Sequence, residues 1–211
     1  MNKQKIGMLA MGVLFIGIGI GLFRYTAAGS DPYTAMAISI SNLTQINFGT
    51  CMMLGHLIIL VPVFFLDRSQ IGLGSLMNMF GAGYIADFVF SVTGMIFPVN
   101  LVSQSVAMIL AIALLAIGLA LYMLPDGGVA PYDALAVILE KRMNGKISYG
   151  LCRMLTDGAC IVLCLLFSWL AGSSLMGVIG VGTIVCMVFL GPLAQMCRSY
   201  FIEHVFRGRF A

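Results

Sequence analysis

Charge is what this sequence lacks. Only 9 % of its 211 residues are Asp, Glu, Lys or Arg, where a soluble domain carries about 25 %. Eight acidic and eleven basic side chains, against 61 % apolar residues, cannot cover a water-facing surface on a chain this long. That excludes a soluble globular enzyme and a disordered chain. The net charge of +3 is small and scattered, which excludes a nucleic-acid partner. Cysteine pairing motifs are missing as well: the six cysteines, at 51, 152, 160, 164, 186 and 197, form no C-x-x-C. They read as small apolar packing residues, and neither a disulfide framework nor a metal site is expected. No glycine-rich phosphate loop is present, so no nucleotide cofactor is expected. Strand-like alternation is absent from runs such as 107–121, which removes a lipid-exposed barrel.

What is present is apolar sequence in long blocks, with a mean hydropathy of +1.05. About 20 apolar residues cross the hydrocarbon core as a helix. Six segments qualify, at 6–23, 48–66, 71–92, 101–124, 147–170 and 175–197. The expected fold is an all-α membrane protein, one membrane domain over 1–211, with the lipid bilayer as its partner. The first segment follows Lys3 and Lys5 and precedes the small residues Thr26-Ala27-Ala28-Gly29, a pattern shared with signal peptides. Its apolar run is longer than a signal core, and it has a counterpart in the second half, so it is read as a retained helix.

Basic residues set the expected orientation. With the N-terminus in the cytoplasm, Lys3, Lys5, Arg68, Lys141, Arg142, Lys146, Arg198, Arg207 and Arg209 all fall on the cytoplasmic side, and only Arg24 lies outside. Both termini are therefore expected inside, with 198–211 as a cytoplasmic tail.

The two halves resemble each other. Asp31-Pro32-Tyr33-Thr34-Ala35 matches Ala130-Pro131-Tyr132-Asp133-Ala134 at an offset of 99. Gly49 and Cys51 meet Gly150 and Cys152 at 101, and Gly72, Gly74 and Gly83 meet Gly180, Gly182 and Gly191 at 108. Each repeat, about 5–97 and 101–197, holds three spans, and an odd number turns the second copy upside down. This predicts an inverted-topology repeat, an architecture common among transporters.

After the first span of each repeat comes a shorter segment opening on Pro32 or Pro131, suited to a first helical turn. Asp31 can cap the first; Ala130 cannot cap the second. Two readings stand for these short helices. They are re-entrant, with N-termini facing a polar cavity, or they lie flat with Tyr33 and Tyr132 at headgroup level.

Ionisable side chains within spans are costly and usually face the bundle interior. His56 and Asp157 are repeat-equivalent and sit near the middle of their helices, and Arg153 lies one turn before Asp157. These three are the candidate substrate or proton site; the structural alternative is an Arg–Asp pair beside a core histidine. Asp31 and Asp87 are further candidates, Asp87 either lining an outer vestibule or pairing with Arg24. Asn78, Ser75 and Thr183 are weaker ones. Gly17-x-x-x-Gly21 allows close helix contact, within the chain or in a homodimer.

The Gly29-Ser30-Asp31-Pro32-Tyr33 segment and its echo Gly128-x-x-Pro131-Tyr132-Asp133 resemble the YczE/YyaS/YitT family of bacterial membrane proteins. Gly72-x-Gly74, Gly180-x-Gly182-Thr183 and Gly191-Pro192-Leu193 are similar too. The resemblance covers about 5–197 and implies a multi-pass protein of the bacterial plasma membrane; it supplies no site residues. The expected function is a small permease for a small polar or anionic solute. The alternatives are an accessory or regulatory membrane protein, or the substrate-binding membrane subunit of a larger transporter. Catalysis is not expected.

Overall fold

In hydrocarbon every backbone N–H and C=O must find its partner inside the protein, so apolar runs become helices. The computed structural model describes residues 3–98, 100–144 and 146–205. Their helices follow one another as α1 Lys3–Tyr25, α2 Pro32–Thr44, α3 Phe48–Leu66, α4 Leu73–Ile96, α5 Leu101–Met123, α6 Pro131–Arg142, α7 Tyr149–Ala171 and α8 Val181–Tyr200. Six are long and apolar enough to cross a membrane; α2 and α6 are not. A π-helical turn, Phe201–Val205, continues α8. Arg207 and Arg209, counted in the charge bias, lie outside the described residues.

Helix starts follow local chemistry. Asn47 Oδ1 accepts from Thr50 N at 2.8 Å, and Asn100 Oδ1 accepts from Ser103 N at 2.8 Å. One boundary differs from the sequence reading by a full turn and a half. The sixth span starts at Val181, not 175, because 175–180 is a turn with Gly177 at φ +82°. That turn is needed elsewhere: Val178 O accepts from Ser30 N at 3.0 Å, and Gly182 N donates to Ala28 O at 2.9 Å.

The same handshake recurs at another place. Val129 N donates to Gln70 O at 2.9 Å, and Gly74 N donates to Gly127 O at 2.8 Å. In each, the helix-opening glycine donates to a hydroxyl three residues on, Gly72 to Ser75 at 3.1 Å and Gly180 to Thr183 at 3.2 Å. Gly29 (φ +103°) and Gly128 (φ +85°) take the left-handed backbone these crossings require. A side chain on Gly72 or Gly180 would strike the carbonyl of Gly127 or Ala28.

Helix α1 lies between α4 and α5. Gly12 and Gly19 meet α5 at Tyr122 and Leu115, while Gly17 and Gly21 meet α4 at Ile85 and Val89. The Gly17–Gly21 pair thus serves contact within the chain. The short helix α2 packs on α7, and α6 packs on α3 and α7. Many large apolar side chains point outward, among them Ile58, Phe65, Phe88, Val162 and Trp169. A band of this kind is stable only in contact with lipid. All six cysteines are free thiols, five of them buried.

Candidate functional site

The short helices begin where the molecule is most polar. Pro32 and Pro131 each occupy a first helical turn, which turns the following tyrosines to face one another. The rings of Tyr33 and Tyr132 stack with centroids 4.6 Å apart and planes 19° apart. Both rings are buried, not at the surface where a flat-lying helix would leave them. The stack continues on either side. The Arg153 guanidinium lies over Tyr132 at 4.7 Å, and His56 lies against Tyr33 at 4.7 Å. Four helices, α2, α3, α6 and α7, thus contribute one member each.

Hydrogen bonds lock this column. Tyr33 Oη donates to Met52 O at 3.0 Å. Tyr132 Oη donates to Asp157 Oδ1. Arg153 Nη1 donates to Asp133 Oδ1, and its Nε lies 3.3 Å from Asp157 Oδ1. Tyr122 Oη donates to Asp133 Oδ2 and accepts from Ala130 N at 3.0 Å. Buried ionic groups persist only when paired and hydrogen-bonded in this way. Beside the column is a cavity of about 40 Å³, lined by Asp31, Tyr33, His56, Asn78, Tyr132, Asp133 and Arg153 with apolar residues of α1, α5 and α8. It is large enough for water or a very small solute.

The sequence candidates separate into two groups. Asp31, Tyr33, His56, Tyr132, Arg153 and Asp157, with Pro32 and Pro131 behind them, come together at the centre. Asp87 lies elsewhere and pairs with Arg24 at 2.6 Å. Two central residues escaped the sequence reading, Asp133 and Tyr122. The first half carries its acid at the N-cap, where Asp31 Oδ1 accepts from Thr34 N at 3.1 Å. The second half carries it three positions later, and there Tyr122 Oη accepts from the N-cap amide of Ala130 without capping the N3 amide as Asp31 does. The Asp133 acid in the Pro131-Tyr132-Asp133 triplet was the available signal. Ser75 and Thr183 close the loop handshakes and do not reach the cavity.

The two ends of the bundle differ. The Arg24–Asp87 pair is closed over by Phe48 and Phe90, whose rings lie 4.0 and 4.5 Å from the Arg24 guanidinium. Asp87 Oδ2 also accepts from Gly49 N at 2.8 Å. On the repeat offsets, the mates of Arg24, Phe48, Asp87 and Phe90 are Met123, Tyr149, Gln195 and Arg198. Those four line a vestibule of about 330 Å³, with Gln70, Asp126, Glu140 and Lys141 at its rim. The first set holds an ion pair, and the residues at the offset positions line an open cavity.

A family model described as "Family of unknown function (DUF6198)" matches residues 3–199. The chain belongs to this family. Within reach of it are two relatives, both from bacteria. An uncharacterized protein of Haemophilus influenzae is 29 % identical over 91 % of this chain and 82 % of its own length. The uncharacterized protein YyaS of Bacillus subtilis is 25 % identical over 95 % of this chain and 96 % of its own length. The match to YyaS agrees with the resemblance read from the glycine and proline motifs. No solved structure matches the chain. The chain is thus a multi-pass membrane protein in a family of unknown function.

Proposed function

We propose that this protein is a small-solute permease of the bacterial plasma membrane, built as two inverted repeats with both termini in the cytoplasm. One observation carries the reading: two helices too short to span both begin at a buried polar cavity where the halves meet. Discontinuous helices whose N-termini converge on a midplane site are how many inverted-repeat transporters hold their solutes. The paired loop handshakes support the repeat, since the two backbone bonds and the glycine-to-hydroxyl bond of one each have a mate in the other. The Lys and Arg bias supports the orientation. In that orientation the 330 Å³ vestibule opens to the cytoplasm, and the Arg24–Asp87 pair closes the outer path. The conformation is then inward-facing, with Tyr149 and Arg153, one helical turn apart on α7, between vestibule and cavity.

The test is uptake into proteoliposomes of labelled small solutes spanning cations, neutral polar molecules and anions. Asp157→Asn and Arg153→Gln serve as variants. The reading expects one class to enter by the parent at a saturable rate and by neither variant. If no class enters faster than through empty liposomes, the permease reading fails and an accessory role takes its place.

A further inference from the structure

Counted with every carboxylate ionised, the charges at the centre do not balance. Asp31, Asp133 and Asp157 face a single guanidinium, that of Arg153. Each converging helix N-terminus adds about half a positive charge. Roughly one negative charge is left over, in surroundings where an uncompensated charge is expensive. The leftover falls on Asp31. Asp133 and Asp157 each have Arg153 and a tyrosine hydroxyl. Asp31 has only Thr34 N on Oδ1; its Oδ2 makes no hydrogen bond, although the residue is 7 % exposed and lines the cavity. The hydroxyl of Ser30 beside it is unbonded too. Nδ1 of His56, 2 % exposed on the same cavity, makes no hydrogen bond either.

The aromatic column narrows the choice of cation. Tyr132 lies between Arg153 and Tyr33, and Tyr33 lies between Tyr132 and His56. Neither tyrosine has a free face for a methylated ammonium. What is free is a set of hydrogen-bond acceptors. We propose that the cavity binds a small N–H-bearing monocation of the ammonium type, held by Asp31 Oδ2 and His56 Nδ1. The inference rests on the permease reading, because it names the solute class of the same cavity. It also turns away from the anion that helix N-termini alone would favour.

The experiment uses the full chain purified in detergent. Methylammonium chloride is titrated against thermal unfolding, and bound radiolabelled methylammonium is counted. Tetramethylammonium, sodium and potassium chlorides are the cation controls; formamide and sodium sulfate are the neutral and anionic ones. Asp31→Asn keeps a good N-cap and should fold; His56→Gln is the second variant. The expected result is a saturating rise in Tm of roughly 2–5 °C with methylammonium only. About one cation should bind per chain, at least tenfold more weakly in both variants. An equal response to sodium or potassium overturns the ammonium assignment. Protection by formamide or sulfate that the variants lose overturns the cation class and leaves the permease site standing. No binding by any probe, with both variants as stable as the parent, removes this cation site, while the permease reading stands or falls with the uptake assay.

Discussion

Replacing Arg153 by methionine tests whether the central charges are truly desolvated. Methionine keeps most of the stem volume and removes the charge. It leaves Asp133 and Asp157 facing each other with only the hydroxyls of Tyr122 and Tyr132 as donors. Arg153 is 6 % exposed, so water cannot take its place without repacking. Removing one partner of a buried pair costs about 3–5 kcal/mol. Loss of the guanidinium over the buried Tyr132 ring adds about 2 kcal/mol. The triple variant Arg153→Met, Asp133→Asn, Asp157→Asn removes all three charges and should recover to within about 1–2 kcal/mol of the parent, because a buried ionic triad and a neutral isostere differ little. The assay is reversible unfolding in mixed micelles with rising SDS, followed by the far-ultraviolet helix signal. The reasoning is refuted if Arg153→Met lies within about 1 kcal/mol of the parent, or if the triple variant is less stable than the single one.

Other expectations bear on packing, the outer closure and the loops. A Cβ on Gly12 would sit 2.8 Å from Tyr122 N and 2.9 Å from Gly118 O, and backbone cannot yield. Gly12→Ala should therefore cost about 1–3 kcal/mol in the same unfolding assay. Gly7→Ala, with nothing within 4 Å of its Cβ, should cost nothing or stabilise slightly. Asp87→Asn removes the charge opposite Arg24 and leaves one acceptor oxygen for two donors, so maleimide labelling of the buried Cys51 nearby should quicken about tenfold, read by mass spectrometry, for a ~1.4 kcal/mol loss. The Lys141 ammonium, 2.8 Å from Asp67, and the Ser69 hydroxyl hold the Asp67 carboxyl below the usual carboxylate range. A lowered folded pKa gives stability that is present above about pH 4 and lost as pH falls further. Lys141→Ala should remove under about 1 kcal/mol at neutral pH, since the pair is exposed, and flatten the acid limb of a pH–stability curve.

The sequence reading reached the six spans and the two short helices because apolar length and proline position are local signals. The Asp31 cap and the Arg153–Asp157 pair were equally local, three and four residues apart. Asp133 was missed because its partners, Tyr122 and Arg153, are placed by the turn of α6 against α5 and α7 and not by spacing along one helix. The start of α8 was misjudged for a related reason. Leu175 and Met176 are apolar enough for a span, but their stretch is spent on bonding to the loop after α1. The glycines divided themselves between two neighbours, Gly12 and Gly19 against α5 and Gly17 and Gly21 against α4, a split that no motif count reveals.

The handshake between residues 28–30 and 178–182 also sets a timetable for synthesis. The amide of Ser30 and the carbonyl of Ala28 enter the membrane long before Val178 and Gly182 have been made. At roughly 5–20 residues per second, the wait is on the order of 10–30 s. During that interval the nascent first half carries polar backbone that its own residues do not satisfy. Water at the translocation site or a helper protein must shield it. The last helix to be inserted is thus the one that pairs the loop of the first half, and a ribosome stalled before α8 would leave those backbone groups without their partners.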